Sequence, residues 1–346
     1  MGGSGQAPKD HNSALPDLYC TMRRIRSFEE RVGELFVRGE SAGSMLHLSI
    51  GEEAAAAGIC AVMKLQDTFT THHRGHGIFL ARGAEPRRMM AEIAGKMDGY
   101  CHGKGGSMHI ADMQLGHLGA NAIVGGGIPA VVGAGLSAKR KKRDSVSVAF
   151  FGDGAMQQGI LYESMNMAAL WDLPVVFVCI NNQYGMGTRI DQATRATNLH
   201  ERALAFGLNG HSVDGLDVEE VRNRARSIVD EARGGRPGFL AVSCYRFYGH
   251  ARMDKSPYRS EEEEIEGRKK DPVKFARDRL ISEKLAGENA LDTLDGEIGK
   301  EMDDAIDFAV SAQAPSLGSM FRDVYAEGEP EPEPLKIRLD RVLARN

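Results

Sequence analysis

The sequence predicts an α/β fold: a mostly parallel sheet with helices on both faces. Residues 145–151 and 175–180 are short and almost continuously apolar, as expected of parallel strands buried on both sides. Residues 158–171 between them read as a helix, which gives one strand–helix–strand unit. A helix over 218–232 followed by an apolar strand over 239–244 repeats the pattern.

The flanking segments follow from spacing and composition. Residues 1–14 are polar and Gly-rich and read as an arm. Leu18, Met22, Ile25, Phe28, Val32, Leu35 and Phe36 recur at helical spacing, so a helix should run from Leu15 to about Gly39. Its charged residues, Arg23, Arg24, Glu29, Glu30 and Arg31, read as a solvated or subunit-contact face. A second helix should start at Gly51-Glu52-Glu53-Ala54, where two acids precede an alanine run and favour a helix N-terminus. Residues 271–312 read as mostly helical. One large domain over 15–325 is therefore expected, followed over 326–346 by an acidic Glu-Pro linker and a short basic tail.

Composition excludes several classes. With 346 residues, 42% of them hydrophobic and 26% charged, the chain can bury a core without a disulfide or metal staple. A net charge of −5 points away from nucleic acid and anionic membranes. The scattered cysteines, with no CxxC pair, read as reduced thiols. No apolar run approaches the roughly 18 residues of a membrane span, and no signal or transit peptide is recognisable. A cytoplasmic protein is expected.

Gly152-Asp153-Gly154 closes one apolar strand, and Asn181-Asn182 closes the next, about one βαβ unit away. Parallel neighbouring strands would carry both motifs to the same sheet edge, where such folds bind ligands. A carboxylate and an amide oxygen are suitable hard ligands for Mg²⁺. The glycines and the following helix would let a phosphate approach backbone N–H groups. The same residues also suit two strand-end turns, with the aspartate as a helix cap. Glycines cluster further over 74–83, 103–106 and 125–135. His72, His73 and His76 read as phosphate or substrate contacts rather than a zinc site, because adjacent histidines diverge and no HExxH follows. Trp171 and the methionines read as core.

The motifs combine into a resemblance. Phe150-Phe-Gly-Asp-Gly-Ala155, Asn166-Met-Ala-Ala-Leu-Trp-Asp-Leu-Pro174 and Asn181-Asn-Gln-Tyr-Gly-Met-Gly-Thr188 resemble the α subunits of thiamine-diphosphate-dependent pyruvate, acetoin and branched-chain 2-oxo acid dehydrogenases. Gly103-Lys-Gly-Gly-Ser-Met-His109, His73-Arg-Gly-His-Gly77 and Tyr248-Gly-His250 fit the same family. The resemblance covers roughly residues 15–325 and implies a thiamine-diphosphate-binding fold.

It further implies roles for named residues. Asp153, Asn182 and the carbonyl of Tyr184 would hold Mg²⁺. Gly152, Gly154, Ala155, His73, Arg74 and His250 would meet the diphosphate. The backbone at Ala122 and Val124 would hold the aminopyrimidine, and Met186 would support the bent cofactor. Ala122 stands where the family commonly has glycine, so its φ must be negative. His76 and His250 are the candidates for catalytic contact. The acid that protonates the cofactor belongs to a β subunit, so an α₂β₂ heterotetramer is expected. It would pass the acyl group from a 2-oxo acid to a lipoyl-bearing acyltransferase.

Pyruvate is favoured by Tyr184-Gly-Met-Gly-Thr188 and Ser256-Pro-Tyr-Arg259. Acetoin is the alternative, on the strength of Thr71-His-His-Arg-Gly-His-Gly77. A branched-chain substrate or a non-catalytic homologue ranks below both. The polar stretch from His250 to Glu264 is expected to stay mobile until cofactor binds.

Overall fold

The computed structural model describes residues 14–43, 45–320, 322–323 and 334–344. All but the last residue of the arm expected over 1–14, and most of the Glu-Pro linker, lie outside the described residues. Helix α1 (Leu15–Val37) leads into α2 (Glu53–Cys60), β1 (Thr68–Thr71), α3 (His76–Ala81), α4 (Pro86–Ile93), β2 (His117–Ala120), α5 (Ile128–Arg140), β3 (Ser147–Gly152), α6 (Gly159–Leu170) and β4 (Val175–Asn181). A small hairpin of β5 (Tyr184–Gly185) and β6 (Thr188–Arg189) follows. The chain continues through α7 (Ile190–Ala193), α8 (Glu201–Leu204), β7 (Asn209–Asp214), α9 (Val218–Arg233), β8 (Gly238–Ser243), α10 (Glu261–Arg268), α11 (Pro272–Ser282), α12 (Glu288–Ser311) and α13 (Leu335–Leu343).

Six strands form one sheet in the order β2-β1-β3-β4-β8-β7, and every neighbouring pair is parallel. The apolar strands occupy the centre because both of their faces are covered. Val148, Phe150, Val176, Val178, Ile180, Leu240 and Val242 pack with α1–α4, α9 and α12. The alternate residues Ala149, Phe151, Val175, Phe177, Cys179, Phe239 and Ala241 pack with α5 and α6. Burying one such side chain stabilises the fold by about 1.5–3 kcal/mol. The strands that sequence reading did not anticipate, β1, β2 and β7, are short or polar and carry no apolar run.

Two readings of charged residues are corrected. Glu29, read as part of a solvated face of α1, is fully buried and accepts hydrogen bonds from the Ser49 N–H and hydroxyl at 2.9 and 2.6 Å. Its spacing on the helix turns it inward, and partners from later segments make burial tolerable. Glu52 and Glu53, read as acids placed for the helix dipole, are also buried. Glu53 pairs with Arg26 at 2.5 Å, and Arg26 in turn binds Asp271 through two 3.0 Å bonds. Trp171, read as core, is exposed beside exposed Leu170 and Met167. All five cysteines are free thiols. Among the described residues, no helix is long and apolar enough to cross a membrane.

Candidate active site

The parallel register pairs Gly152 of β3 with Ile180 of β4, so the Gly-Asp-Gly and Asn-Asn motifs emerge together at the carboxyl edge of the sheet. They open onto a cleft of about 460 Å³. Its lining includes Arg74, His73, Ala122, Val124, Gly152, Asp153, Gly154, Ala155, Asn182, Tyr184, Met186 and His250. A larger groove of about 870 Å³ lies on the other side of Tyr184. It is more open, carries neither the Asp153 nor the Arg74 cluster, and holds none of the predicted site residues except Tyr184.

One wall of the cleft is built from strand ends. Asp153 begins a short 3₁₀ turn, Asp153–Gln157, directly after β3. Its carboxyl is buried, Oδ2 has no hydrogen-bond partner, and burial pushes its pKa up to about 6. Asn182 is buried too: its Nδ2 donates to Glu52 Oε1 at 2.7 Å, and its Oδ1 accepts the Tyr184 N–H at 3.2 Å. Burial likewise pushes Glu52 up to about 7. Gly154 faces Gly185 so closely that a Cβ on Gly154 would fall 3.3 Å from the Gly185 Cα, which leaves the backbone bare toward the cleft. Met186 sits beyond, 63% exposed and at φ +58, a strained conformation for a non-glycine residue of the kind that clusters at functional sites. Ala122 has no positive φ, so alanine fits there without strain.

The opposite wall is cationic. Arg74 is buried; it donates to the Leu48 carbonyl at 3.0 Å and to the His250 carbonyl at 2.7 Å. Arg246 is fully buried and donates to the Tyr248 carbonyl at 3.0 Å. Burial, then the charge of Arg246, lowers the Arg74 pKa to about 10. The rings of His47, His73 and His250 stand 4.6–5.4 Å apart, centre to centre. Burial leads the causes that hold all three neutral, and the Arg74 charge adds to it: His47 falls to about 3, His250 to about 4, and His73 lower still. Their ligand nitrogens spread over as much as 4.8 Å, whereas bonds near 2.0–2.1 Å to a tetrahedral zinc bring nitrogens to about 3.4 Å apart. His72, His73 and His76, read from sequence as phosphate or substrate contacts rather than a zinc site, do not converge on one point, because His72 and His76 turn elsewhere. His72 Nδ1 accepts the Arg74 N–H at 3.0 Å.

His76 does not line the cleft. It is 1% exposed, with Nδ1 at 3.1 Å from Glu29 and Nε2 at 2.9 Å from the Ser107 hydroxyl. Both ring nitrogens are thus occupied within the fold, and the histidine ties α1 and α3 to the loop that carries Met108 to the cleft. The histidines that line the cleft are instead His250, His73, His72 and His47. Sequence reasoning assigned no role to Arg246 and took Glu52 only as a helix start. Arg246 lies four residues before His250, and a basic residue beside a phosphate-site motif was the available signal.

The dehydrogenase E1 component family matches residues 20–317. The chain belongs to this family. The α subunit of acetoin:2,6-dichlorophenolindophenol oxidoreductase from Bacillus subtilis is 42% identical, over 90% of this chain and 93% of the relative. The protein of the same name from Cupriavidus necator is 41% identical, over 93% of this chain and 97% of its own length. The pyruvate dehydrogenase E1 component subunit α of Rhizobium meliloti is 38% identical, over 88% of each chain.

In this E1 chain the stretch after His250 is tied to the fold by side-chain contacts. Asp254 accepts the His250 N–H at 2.7 Å and the Tyr258 hydroxyl at 2.6 Å. Arg259 is buried; it donates to the Arg246 carbonyl at 2.8 Å and lies 4.5 Å over the Tyr184 ring. Ser256 is buried as well. The glutamate run that read as loop is the first turn of α10: the Ser260 hydroxyl accepts the Glu263 N–H at 3.1 Å. Acids suit a helix N-terminus. The expectation of a stretch with little to bury overlooked how the aromatic and guanidinium groups pack on one another.

Proposed function

We propose that this chain is the thiamine-diphosphate-binding α subunit of a dehydrogenase that decarboxylates pyruvate, or a closely similar 2-oxo acid, and passes the acyl group to a lipoyl-bearing acyltransferase. The polarity of the cleft supports this most directly. A buried carboxylate with one unpartnered oxygen and an amide oxygen face one end, and two buried guanidiniums face the other. That donor set fits a divalent cation bound to a diphosphate. Asp153, Asn182 and the Tyr184 carbonyl would hold Mg²⁺. Gly152, Gly154 and Ala155 would offer backbone to the diphosphate, with Arg74, His73 and His250 as side-chain contacts. Ala122 and Val124 would hold the aminopyrimidine, and Met186 would press against the bent cofactor. When bound, the cofactor supplies a thiazolium that takes up the electron pair left by departing carbon dioxide. His250 remains the candidate for polar contact with the reacting group. Held neutral, it can donate or accept a hydrogen bond there without adding a further cation beside Arg74 and Arg246.

The cofactor-binding unit would span residues 15–325 and act in the cytoplasm. Its rim exposes Ile123, Val124 and Met186, and α6 exposes Met167 and Leu170 next to Trp171. Apolar surface around an active cleft marks an interface, which favours a β subunit closing the site in an α₂β₂ assembly. Acetoin is the second reading. Two relatives carry that name, and the neutral histidine cluster suits an uncharged hydroxyketone as well as a carboxylate.

The test is turnover with pyruvate, acetoin and 3-methyl-2-oxobutanoate by the α/β assembly and by the chain alone. Turnover should require the β subunit, thiamine diphosphate and Mg²⁺. A single chain turning over near a median enzyme rate, about 10 per second, would sink the proposal.

A further inference from the structure

Glu52 stands on the floor of the metal-side wall, and the reading above gives it no role. Its position is set by its neighbours. Gly51, at φ +101, lies so close to Tyr245 that a Cβ would fall 2.0 Å from the Tyr245 carbonyl oxygen, so the chain can enter α2 along this path only as glycine. Glu53 accepts the Gly51 N–H at 2.9 Å and the Arg26 Nε–H at 2.5 Å. Glu52, between two anchored residues, is thereby held against Asn182 at 3% exposure. Oε1 accepts from Asn182 Nδ2 at 2.7 Å, and Oε2 is buried with no hydrogen-bond partner.

A side-chain amide has two chemically opposite ends. Its oxygen can ligate a divalent cation; its NH₂ group can only repel one. Turning the amide by half a rotation exchanges the two at almost no steric cost. A carboxylate accepts hydrogen bonds and cannot donate them. Beside ionised Glu52, the Asn182 nitrogen therefore points at the carboxylate and the oxygen points away, where it accepts the Tyr184 N–H. We propose that Glu52 is a positioning residue, which locks the Asn182 amide with its oxygen turned toward the divalent cation. This rests on the reading of Asp153 and Asn182 as cation ligands. Outer partners of this kind commonly set metal affinity by about 10–100-fold.

The experiment measures Mn²⁺ affinity by electron paramagnetic resonance on the α/β assembly with thiamine diphosphate present. Glu52→Leu removes the acceptor. Glu52→Gln keeps an oxygen that can take the Asn182 Nδ2–H and removes the charge. Glu52→Leu should weaken Mn²⁺ binding by about tenfold or more, in line with other outer partners, while Glu52→Gln, which keeps an acceptor but can also turn its own amide to meet a flipped Asn182, should lose clearly less. Unchanged affinity in Glu52→Leu overturns the proposal. Equal loss in both variants also overturns it, since charge rather than orientation would then be what matters. Should Glu52→Leu fail to fold, the exchanged pair Glu52→Gln with Asn182→Asp decides. It reverses donor and acceptor, and should bind Mn²⁺ more tightly than Asn182→Asp alone; equal affinity rejects the lock. Asp153→Ala serves as the reference. If it binds Mn²⁺ as the unaltered assembly does, the cofactor reading itself fails and takes this inference with it. If it does not bind, a failure at Glu52 belongs to this inference alone.

Discussion

Asp153 and Asn182 leave neighbouring strands joined by a single helix, whereas Arg74, Arg246, His47, His73 and His250 reach the facing wall from separate parts of the chain. The first wall inherits its geometry from the register of β3 and β4. The second exists because guanidiniums bridge carbonyls of different segments: Arg74 joins Leu48 to His250, and Arg246 joins Tyr248 to the Tyr258 hydroxyl at 3.1 Å. A wall made by the sheet should fail completely when its one anionic ligand is lost. A wall made by cross-links should weaken by degrees. The largest effect is therefore expected from Asp153→Ala. It should keep the fold and lose thiamine diphosphate binding in calorimetry with Mg²⁺ present. Undiminished affinity would remove the distinction between the walls.

On the cationic wall the loss should be partial. Arg246→Met keeps the volume and removes the charge and its hydrogen bonds. A hydrogen bond to a charged group contributes about 1.5–3 kcal/mol, which is roughly 10–100-fold in affinity. Cofactor affinity should fall within that range, and binding should remain measurable. Complete loss of binding would place Arg246 on a par with Asp153 and break the comparison.

The same contrast explains which parts could be read from sequence. The sheet and the Gly-Asp-Gly and Asn-Asn wall are local: apolar runs mark β3, β4 and β8, and Asp153 and Asn182, the proposed ligands, each sit one residue past a strand end. The cationic wall depends on contacts between segments far apart in sequence. Arg74 and His250 were found through family resemblance, while Arg246 passed unnoticed. His76 misled for the complementary reason. It shares a motif with Arg74, yet three residues into α3 its ring turns to buried Glu29, which itself had been read as a surface acid. Helical spacing says which face a residue takes, but not that a carboxylate on that face has a histidine and a serine waiting for it.

A smaller effect should follow from loosening a cross-link without removing charge. Tyr258→Phe deletes the hydroxyl that donates to Asp254 and accepts from the His250 N–H at 3.0 Å. The hydroxyl also accepts from Arg246 at 3.1 Å; because Arg246 and Asp254 keep their other partners, the net loss should stay near the ~1 kcal/mol of a typical hydrogen bond, and cofactor affinity should drop by a few fold. Hydrogen exchange over residues 250–259 should rise clearly before cofactor is added and much less after. Equal exchange in the variant and the unaltered protein would show that Asp254 and Arg259 hold this stretch alone, and that the wall is more rigid than its cross-linked construction implies.

The smallest effect on the cofactor, but a clear one on the fold, is expected at His117. Its ring stacks on Phe69 at 4.6 Å, packs on Phe79 and lies 3.1 Å from the Thr71 hydroxyl, outside the cleft lining. Burial holds its pKa at about 3, far below the usual 6.5. The folded histidine takes up no proton until pH nears 3, whereas the unfolded chain takes one up below 6.5. Between those limits the unfolded state binds more protons, so stability is fully present above 6.5 and declines as pH falls toward 3. His47, His72 and His250, depressed to about 3, 3 and 4, add to the same decline. Each contributes a slope of at most about 1.4 kcal/mol per pH unit. His117→Gln should therefore flatten the loss of stability between pH 7 and 5 by up to one proton's worth in urea unfolding, with cofactor affinity at pH 7 unchanged. If the flattening appears, burial alone keeps the His117 ring neutral, whereas the cleft histidines have the Arg74 charge in addition. An unaltered slope would mean that His117 takes up a proton well above pH 3, and that burial is not enough to keep its ring neutral.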